Sequence, residues 1–237
     1  MKAVSTQQRK SGLVVPSLVE ALHSALREQI FSGEISAGEP ITELSVAERF
    51  AVARPTAKAA VERLVHDGLL YRPINKTARV RVLDVEDVRD LYRARLFLER
   101  ELVYTLASRG LVPQAARGCV RDLEAVGTDH TVNDVVLADI RFHTALLDAL
   151  ESPRLSRLYA TIMGEVHLCM AQVQVHRLLQ PAVIAHEHSD ILDAIGSGDP
   201  TRAVNEVQHH IEQARELLVE HVKHQADSAA ALKASSA

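Results

Sequence analysis

The apolar positions in the first third of the chain change period as they go. Leu18, Leu22, Leu26 and Ile30 recur every four residues and predict a helix ended by Gly33. The stretch SGEISAGEPIT, with Gly33, Gly38 and Pro40, predicts a turn-rich connection. ELSVAERF at 43–50 predicts a short helix, AVA a tight link, and the run from Pro55 to Asp67 a further helix stopped by Gly68. In ARVRVL, Ala78, Val80 and Val82 alternate with Arg79 and Arg81, the period of a half-buried strand. LLYRP precedes it across INKT as its hairpin partner. From Val85 onward nothing reads as a strand. Helices are expected near 85–109, 113–126, 132–151, 153–179, 181–196 and 200–224, with Pro113, Pro153, Pro181 and Pro200 at or near four of the starts. The pattern predicts a mainly α chain: a winged helix-turn-helix over 11–83, then an all-helical antiparallel bundle of six to seven helices over 85–224. Residues 1–11 and the low-complexity tail 225–237 are expected to be disordered.

Composition sharpens this. The chain has 237 residues, 47% of them hydrophobic, and only 3% aromatic with no Trp, a balance that favours helix packing over a sandwich. Two cysteines, Cys119 and Cys169, build no disulfide framework and suit a reducing compartment. No apolar run approaches the roughly 20 residues of a membrane span, and no signal-peptide segment is present at the start, so a soluble cytoplasmic protein is expected. The net charge of −4 conceals an asymmetry: residues 1–83 carry 12 Lys and Arg against 8 Asp and Glu, and the remainder 15 against 23. A basic first third on an acidic body suggests that only the first part meets a polyanion.

Helix, loop, short helix, tight turn, helix and hairpin is the order in which one helix can enter a major groove while another crosses the DNA backbone. In RPTAKAAVERLVHDGLL the packed side is Ala57, Ala60, Val61, Leu64 and Val65, which leaves Arg54, Thr56, Lys58, Ala59 and Arg63 outward or at the leading end. Arg54 and Lys58 suit phosphates or guanine edges, and Thr56 a phosphate or a base. Arg72, Lys76, Arg79 and Arg81 place further cations on the hairpin. The expected DNA contacts are Arg54, Thr56, Lys58, Arg63, Lys76 and Arg79; a basic helical hairpin without a ligand is the alternative. This segment resembles the DNA-binding domain of the GntR family of bacterial transcription regulators, at Gly33, Ile35, Gly38, Ala47, Val52, Arg54, Leu64, Gly68 and Leu69. It departs from the family pattern at Ala53, Pro55 and Lys58, and at Lys76-Thr77 in the wing.

The second half raises a different question. In TVNDVVLADIRFHTALLDAL one helical stripe runs through Val132, Val136, Asp139, His143, Leu146 and Leu150, so two polar groups interrupt an apolar face. Burying a carboxylate costs several kcal/mol unless something pairs with it. In PAVIAHEHSDILDAI, His188 lies on the inward face with Ile184 and Ile195; in TRAVNEVQHHIEQARELLVEH, His210 lies inward with Ala203, Val207, Ala214 and Leu217. Asp139 with His143 alone reads as a buried pair. Convergence of Asp139, His143, His188 and His210 instead suits a divalent cation, Zn²⁺ first, with Ni²⁺, Fe²⁺ or Mn²⁺ as alternatives. On the helix at 85–109, Val88, Tyr92, Arg95, Glu99 and Leu102 share a face. An inward Arg95 either receives a carboxylate ligand or pairs with Glu99.

This half resembles the FCD ligand-binding domain of the FadR subgroup of GntR regulators, through RLFLE at 95–99, DIRFH at 139–143, EHSDIL and HHI. The resemblance implies the same four metal ligands, a small organic acid as effector, and a homodimeric regulator. The leading expectation is a repressor binding a palindromic double-stranded DNA operator, its affinity set by a carboxylate effector at the metal and Arg95. The alternative is a helical metal-dependent hydrolase with a basic N-terminal appendage, in which open positions on the ion activate water.

Overall fold

The computed structural model of the chain describes residues 17–125, 131–173 and 180–235. The expectation of disorder over 1–11 lies outside them. Ser17 caps α1 (Leu18–Phe31), and Leu22, Leu26 and Ile30 turn its expected face into the core. β1 (Pro40–Ile41) leads to Thr42, whose side chain caps α2 (Glu43–Arg49). The link to α3 (Arg54–His66) is tight enough to put Ala51 at φ 51°. Ala57, Ala60, Val61 and Leu64 pack inward as expected. β2 (Leu70–Tyr71) and β3 (Ala78–Val80) complete an antiparallel sheet in the order β1-β3-β2, with Leu70 opposite Val80 and Ile41 opposite Ala78.

Two details differ from the pattern. β1 falls inside the expected turn-rich connection, because a two-residue strand is too short to display a period. The alternation expected to continue through Val82 ends at Val80: Val82 is exposed and Leu83 is buried. Here the chain leaves the sheet for the bundle, and Arg81 turns between the two parts, bonding Glu165 and Asp87 at 3.1 Å each.

The bundle comprises α4 (Val85–Ser108), α5 (Gln114–Glu124), α6 (Val132–Asp148), α7 (Pro153–Val173), α8 (Pro181–Gly196) and α9 (Pro200–Ser235). Capping boxes start α4 at Asp84 and α6 at Thr131. α4 packs most extensively along α9 and also touches α6, α7 and α8. The end of the helix expected at 153–179 lies outside the described residues beyond Val173. α9 runs on through Ser235, where a disordered tail from 225 is expected. The Ala-rich stretch SAAALKAS has high intrinsic helix propensity and simply extends the preceding turns.

α7 holds the first part against the bundle. His167 stacks on Phe31 of α1 at 3.7 Å, and Gln172 bonds the Leu83 amide and the Arg81 carbonyl. Gly68 closes α3 at φ +77°, and a Cβ there would meet Glu165 Oε1 at 2.7 Å. Glycine suits that position by its left-handed backbone, and a Cβ there would also have to push the Glu165 side chain of α7 aside.

Candidate metal centre and nucleic-acid interface

The stripe of α6 faces inward as read: Val136, Asp139, His143 and Leu146 are buried, and Leu150 is half-buried; the Val132 side chain lies outside the described residues. α8 contributes His188 and α9 contributes His210, both buried, while their neighbours His186 and His209 are exposed. One ligand atom from each of Asp139, His143, His188 and His210 lies within 4.8 Å of the others. Asp139 Oδ1 is the hub, at 3.5 Å from His143 Nε2, 3.2 Å from His188 Nε2 and 3.5 Å from His210 Nε2. Bonds of about 2.0–2.1 Å to one ion place adjacent ligand atoms roughly 3.0–3.4 Å apart, so these separations suit a shared cation.

The surrounding carboxylates decide which nitrogens face the hub. His143 Nδ1 lies 2.6 Å from Glu99 Oε2, and His210 Nδ1 lies 2.6 Å from Glu187 Oε2. Each Nδ1 therefore carries the proton it donates, which leaves a lone pair on Nε2. Those two lone-pair atoms stand 3.1 Å apart. Neutral imidazoles repel in that arrangement, and only a cation or an extra proton between them removes the repulsion. His188 adds a third unmet demand. Its ring stacks on Phe142 at 3.7 Å, and neither ring nitrogen has a hydrogen-bond partner, since Nε2 approaches Asp139 without the alignment a hydrogen bond needs.

Electrostatics agree with this reading. Burial lowers the His188 pKa to about 3, with the Asp139 contact only partly offsetting it, so the ring stays neutral with its lone pair free. Burial opposes charge on His210 too, but the Asp139 carboxylate beside it and the hydrogen bond to Glu187 outweigh it and raise the pKa to about 9. Without an ion, a proton on His210 takes the cation's place. Burial alone would raise Asp139, yet the three imidazole contacts on its Oδ1, that of His143 first, hold its carboxyl well below the usual range. Glu99 is likewise held ionised against burial by His143, Arg95 and the Tyr159 hydroxyl.

Arg95 resolves both ways. Its Nε donates to Glu99 Oε1 at 2.6 Å, and Tyr159 donates to the same oxygen at 2.7 Å. Both terminal nitrogens of the fully buried guanidinium, and the neighbouring Tyr92 hydroxyl, lack a partner. Three buried donors left unmet are costly. A cavity of about 230 Å³ opens beside the cluster, lined by Asp139, Glu187, His210, Gln180, Gln213 and Met170; Arg95 is not among its lining residues. Sequence reasoning missed Glu187, Tyr159 and the role of Glu99 toward His143. Cys119 is half-buried and Cys169 buried, both as free thiols.

At the other end, Arg54, Lys58, Arg63, Lys76 and Arg79 are exposed and Thr56 is half-buried at the start of α3. Arg63 reaches Glu20 at 3.2 Å, Lys58 reaches Glu62 at 3.7 Å, and Arg79 bonds the Gly38 carbonyl at 2.9 Å. Arg81, expected on the outward face of the hairpin, is turned away from it by the Glu165 and Asp87 contacts. Asn75 at φ 58° shapes the wing tip, with Lys76 beside it.

A winged helix-turn-helix on a helical bundle with an internal His₃Asp cluster defines a class of transcription regulators. Residues 18–80 match the gntR family of bacterial regulatory proteins, and residues 90–213 match the FCD domain. The chain belongs to the GntR family of regulators that carry an FCD domain. It is similar to the HTH-type transcriptional regulator YdhC of Bacillus subtilis, with 26% identity across 85% of this chain and 89% of that one. A probable D-xylose utilization operon transcriptional repressor of Paenarthrobacter nicotinovorans is 26% identical across 77% of this chain and 80% of its own length. The fold matches a putative GntR regulator from Rhodococcus sp. RHA1 at TM-score 0.65 and 24% identity, covering 86% of this chain and 99% of that one. It also matches E. coli McbR/YncC at TM-score 0.68 and 17% identity, covering 87% and 99%. Family and relatives place the chain among DNA-binding transcription regulators and not among enzymes, so the hydrolase reading falls. No described helix is long and apolar enough to cross a membrane.

Proposed function

We propose that this chain is a cytoplasmic, metal-dependent repressor whose grip on a palindromic operator is set by a small organic acid. The observation that carries the reading is the pair of Nε2 lone pairs at 3.1 Å, each fixed by a carboxylate behind it and both aimed at Asp139. Asp139, His143, His188 and His210 would hold a divalent ion, with zinc preferred by this donor set and nickel, iron or manganese compatible with it. The ion supplies a Lewis-acidic position for a carboxylate oxygen. Arg95, fully buried and off the cavity wall, has two terminal nitrogens without a hydrogen-bond partner, and a carboxylate that reached past the cluster would be gripped by them. Arg54, Thr56, Lys58, Arg63, Lys76 and Arg79 would face the DNA. We assign residues 11–83 to the reading head and 85–224 to the effector unit, and read the regulator as a homodimer.

The acid must bind the DNA-competent and DNA-incompetent arrangements with different affinity, by about 1–3 kcal/mol, to act as a switch. Fluorescence anisotropy with the chain's own upstream DNA tests the reading. Sequence-selective binding that weakens steeply with salt, and shifts when an organic acid is titrated into metal-loaded protein, is the expected result. Affinity unmoved by any acid in a broad carboxylate panel would reduce the metal to a structural staple.

A further inference from the structure

The seam between α1 and the bundle encloses a cavity of about 280 Å³, separate from the one beside the His₃Asp cluster. α1 lines it with Ser24, Arg27 and Phe31, α6 with Asn133 and Leu137, and α7 with His167. The Phe31–His167 stack that joins the two parts therefore borders it, and the Arg27 guanidinium lies 5.4 Å from the Phe31 ring centre. Arg27 is the unexplained group. Arg49, Arg63, Arg72 and Arg81 of the same part each reach a carboxylate. The half-buried Arg27 pairs with none among the described residues, and its Nε is sealed from solvent without a hydrogen-bond partner. A buried donor left unmet is costly unless something arrives to pair with the cation.

We propose that this cavity is a second ligand site, independent of the metal, which takes a small organic monocarboxylate on Arg27. The planar fork of a guanidinium matches a carboxylate through two parallel bonds. Asn133 Oδ1 is engaged by His167 Nε2 at 3.0 Å, which leaves the Asn133 amide nitrogen and the Ser24 hydroxyl as further donors. Phe31 and Leu137 offer apolar surface to the body of the acid, the mixture of wall and polar groups that small-molecule sites present at domain junctions. The charge count selects a monoanion. Burial, with the Arg27 charge adding, lowers the His167 pKa to about 4, so that ring is neutral at pH 7. Arg27 is then the one cation, and the exposed Glu28 the one carboxylate, among the described residues of the wall. A phosphate dianion would meet Glu28 with part of its own charge unpaired.

A ligand in this cavity touches the reading head through α1 and the bundle through α6 and α7 at once. Its binding favours whichever arrangement of the two parts keeps those walls together, so the seam receives an input of its own beside that of the His₃Asp cluster.

The chain has no Trp, so Phe31→Trp gives the full-length protein a single fluorescent reporter in the cavity wall. Benzoate, propionate and inorganic phosphate would be titrated into this variant, into the same variant with Arg27→Met, and into the same variant with Asp139→Ala/His188→Ala. Thermal unfolding is the folding control. Should Phe31→Trp not fold, the Arg27 Nε–H resonance of the unaltered chain, assigned by its loss in Arg27→Met, reports instead. At least one of the two carboxylates is expected to give a saturable response with a Kd in the millimolar range or tighter. The response persists without the metal ligands, and Arg27→Met weakens it at least about tenfold. No saturation by either carboxylate, or equal binding in a folded Arg27→Met chain, overturns the site. Phosphate binding as tightly as the carboxylates overturns its assignment to a monocarboxylate. A response lost with Asp139→Ala/His188→Ala also overturns it and returns the acid to the His₃Asp cluster, so the regulator reading stands whichever way the seam falls.

Discussion

Glu99 sits at the meeting point of the two unmet demands in the bundle. One oxygen takes the His143 Nδ1 proton; the other takes Arg95 and Tyr159. Replacing it with Gln keeps the shape and removes the charge, so His143 is no longer held firmly in the Nε2-lone-pair form. Carboxylates behind a ligating histidine are worth about 10–100-fold in metal affinity, and Glu99→Gln is expected to lose that much in a competitive chelator titration. Arg95→Lys keeps the positive charge beside Glu99 but removes the planar fork. It should leave metal content unchanged and weaken organic-acid binding about tenfold or more by calorimetry. The four converging residues were legible because each interrupts a helical stripe that is otherwise apolar. Glu187 was not, because it sits beside His188 on a half-buried flank and gains its role only when α9 brings His210 to it. Glu99 was legible as an inward residue, but spacing within α4 cannot reveal a partner on α6.

Elements were readable wherever one period ran long enough. The helices of the bundle fall close to their expected spans because Pro and capping residues mark their starts. β1 and the end of β3 escaped, since two or three residues carry no period and the chain there answers to the docking of α7. That docking makes two predictions. Gly68→Ala combines a left-handed backbone with a Cβ at 2.7 Å from Glu165, and is expected to destabilise the chain by about 1–3 kcal/mol in urea unfolding. His167 is packed between Phe31 and Asn133, and burial, with the Arg27 charge adding, lowers its pKa to about 4. The unfolded chain takes up that proton near 6.5, whereas the native state does not until about 4. This contribution is complete above pH 6.5 and is lost as pH falls toward 4. His167→Phe should flatten that part of the stability profile, measured as the difference from wild type between pH 4 and 7.

Over the whole molecule, α7 touches both ends of the regulator. Tyr159 bonds the carboxylate behind His143, while Glu165 and Gln172 hold Arg81 and Leu83 in the hinge after β3 and His167 stacks on Phe31 of the first helix. An ion held by the His₃Asp cluster would therefore have one element through which to reach the DNA-binding part. On the DNA side, Lys76 stands exposed at the wing. Lys76→Ala is expected to weaken binding to all sequences alike and to reduce the salt slope by about one. The central claim is the ion held by Asp139, His143, His188 and His210, and elemental analysis of gently purified chain tests it most directly, beside the folded Asp139→Ala/His188→Ala variant. About one divalent metal per wild-type chain, lost in the variant, is the expected result. No metal in either, with operator binding intact, would contradict it and leave the cluster as a buried network closed by a proton on His210.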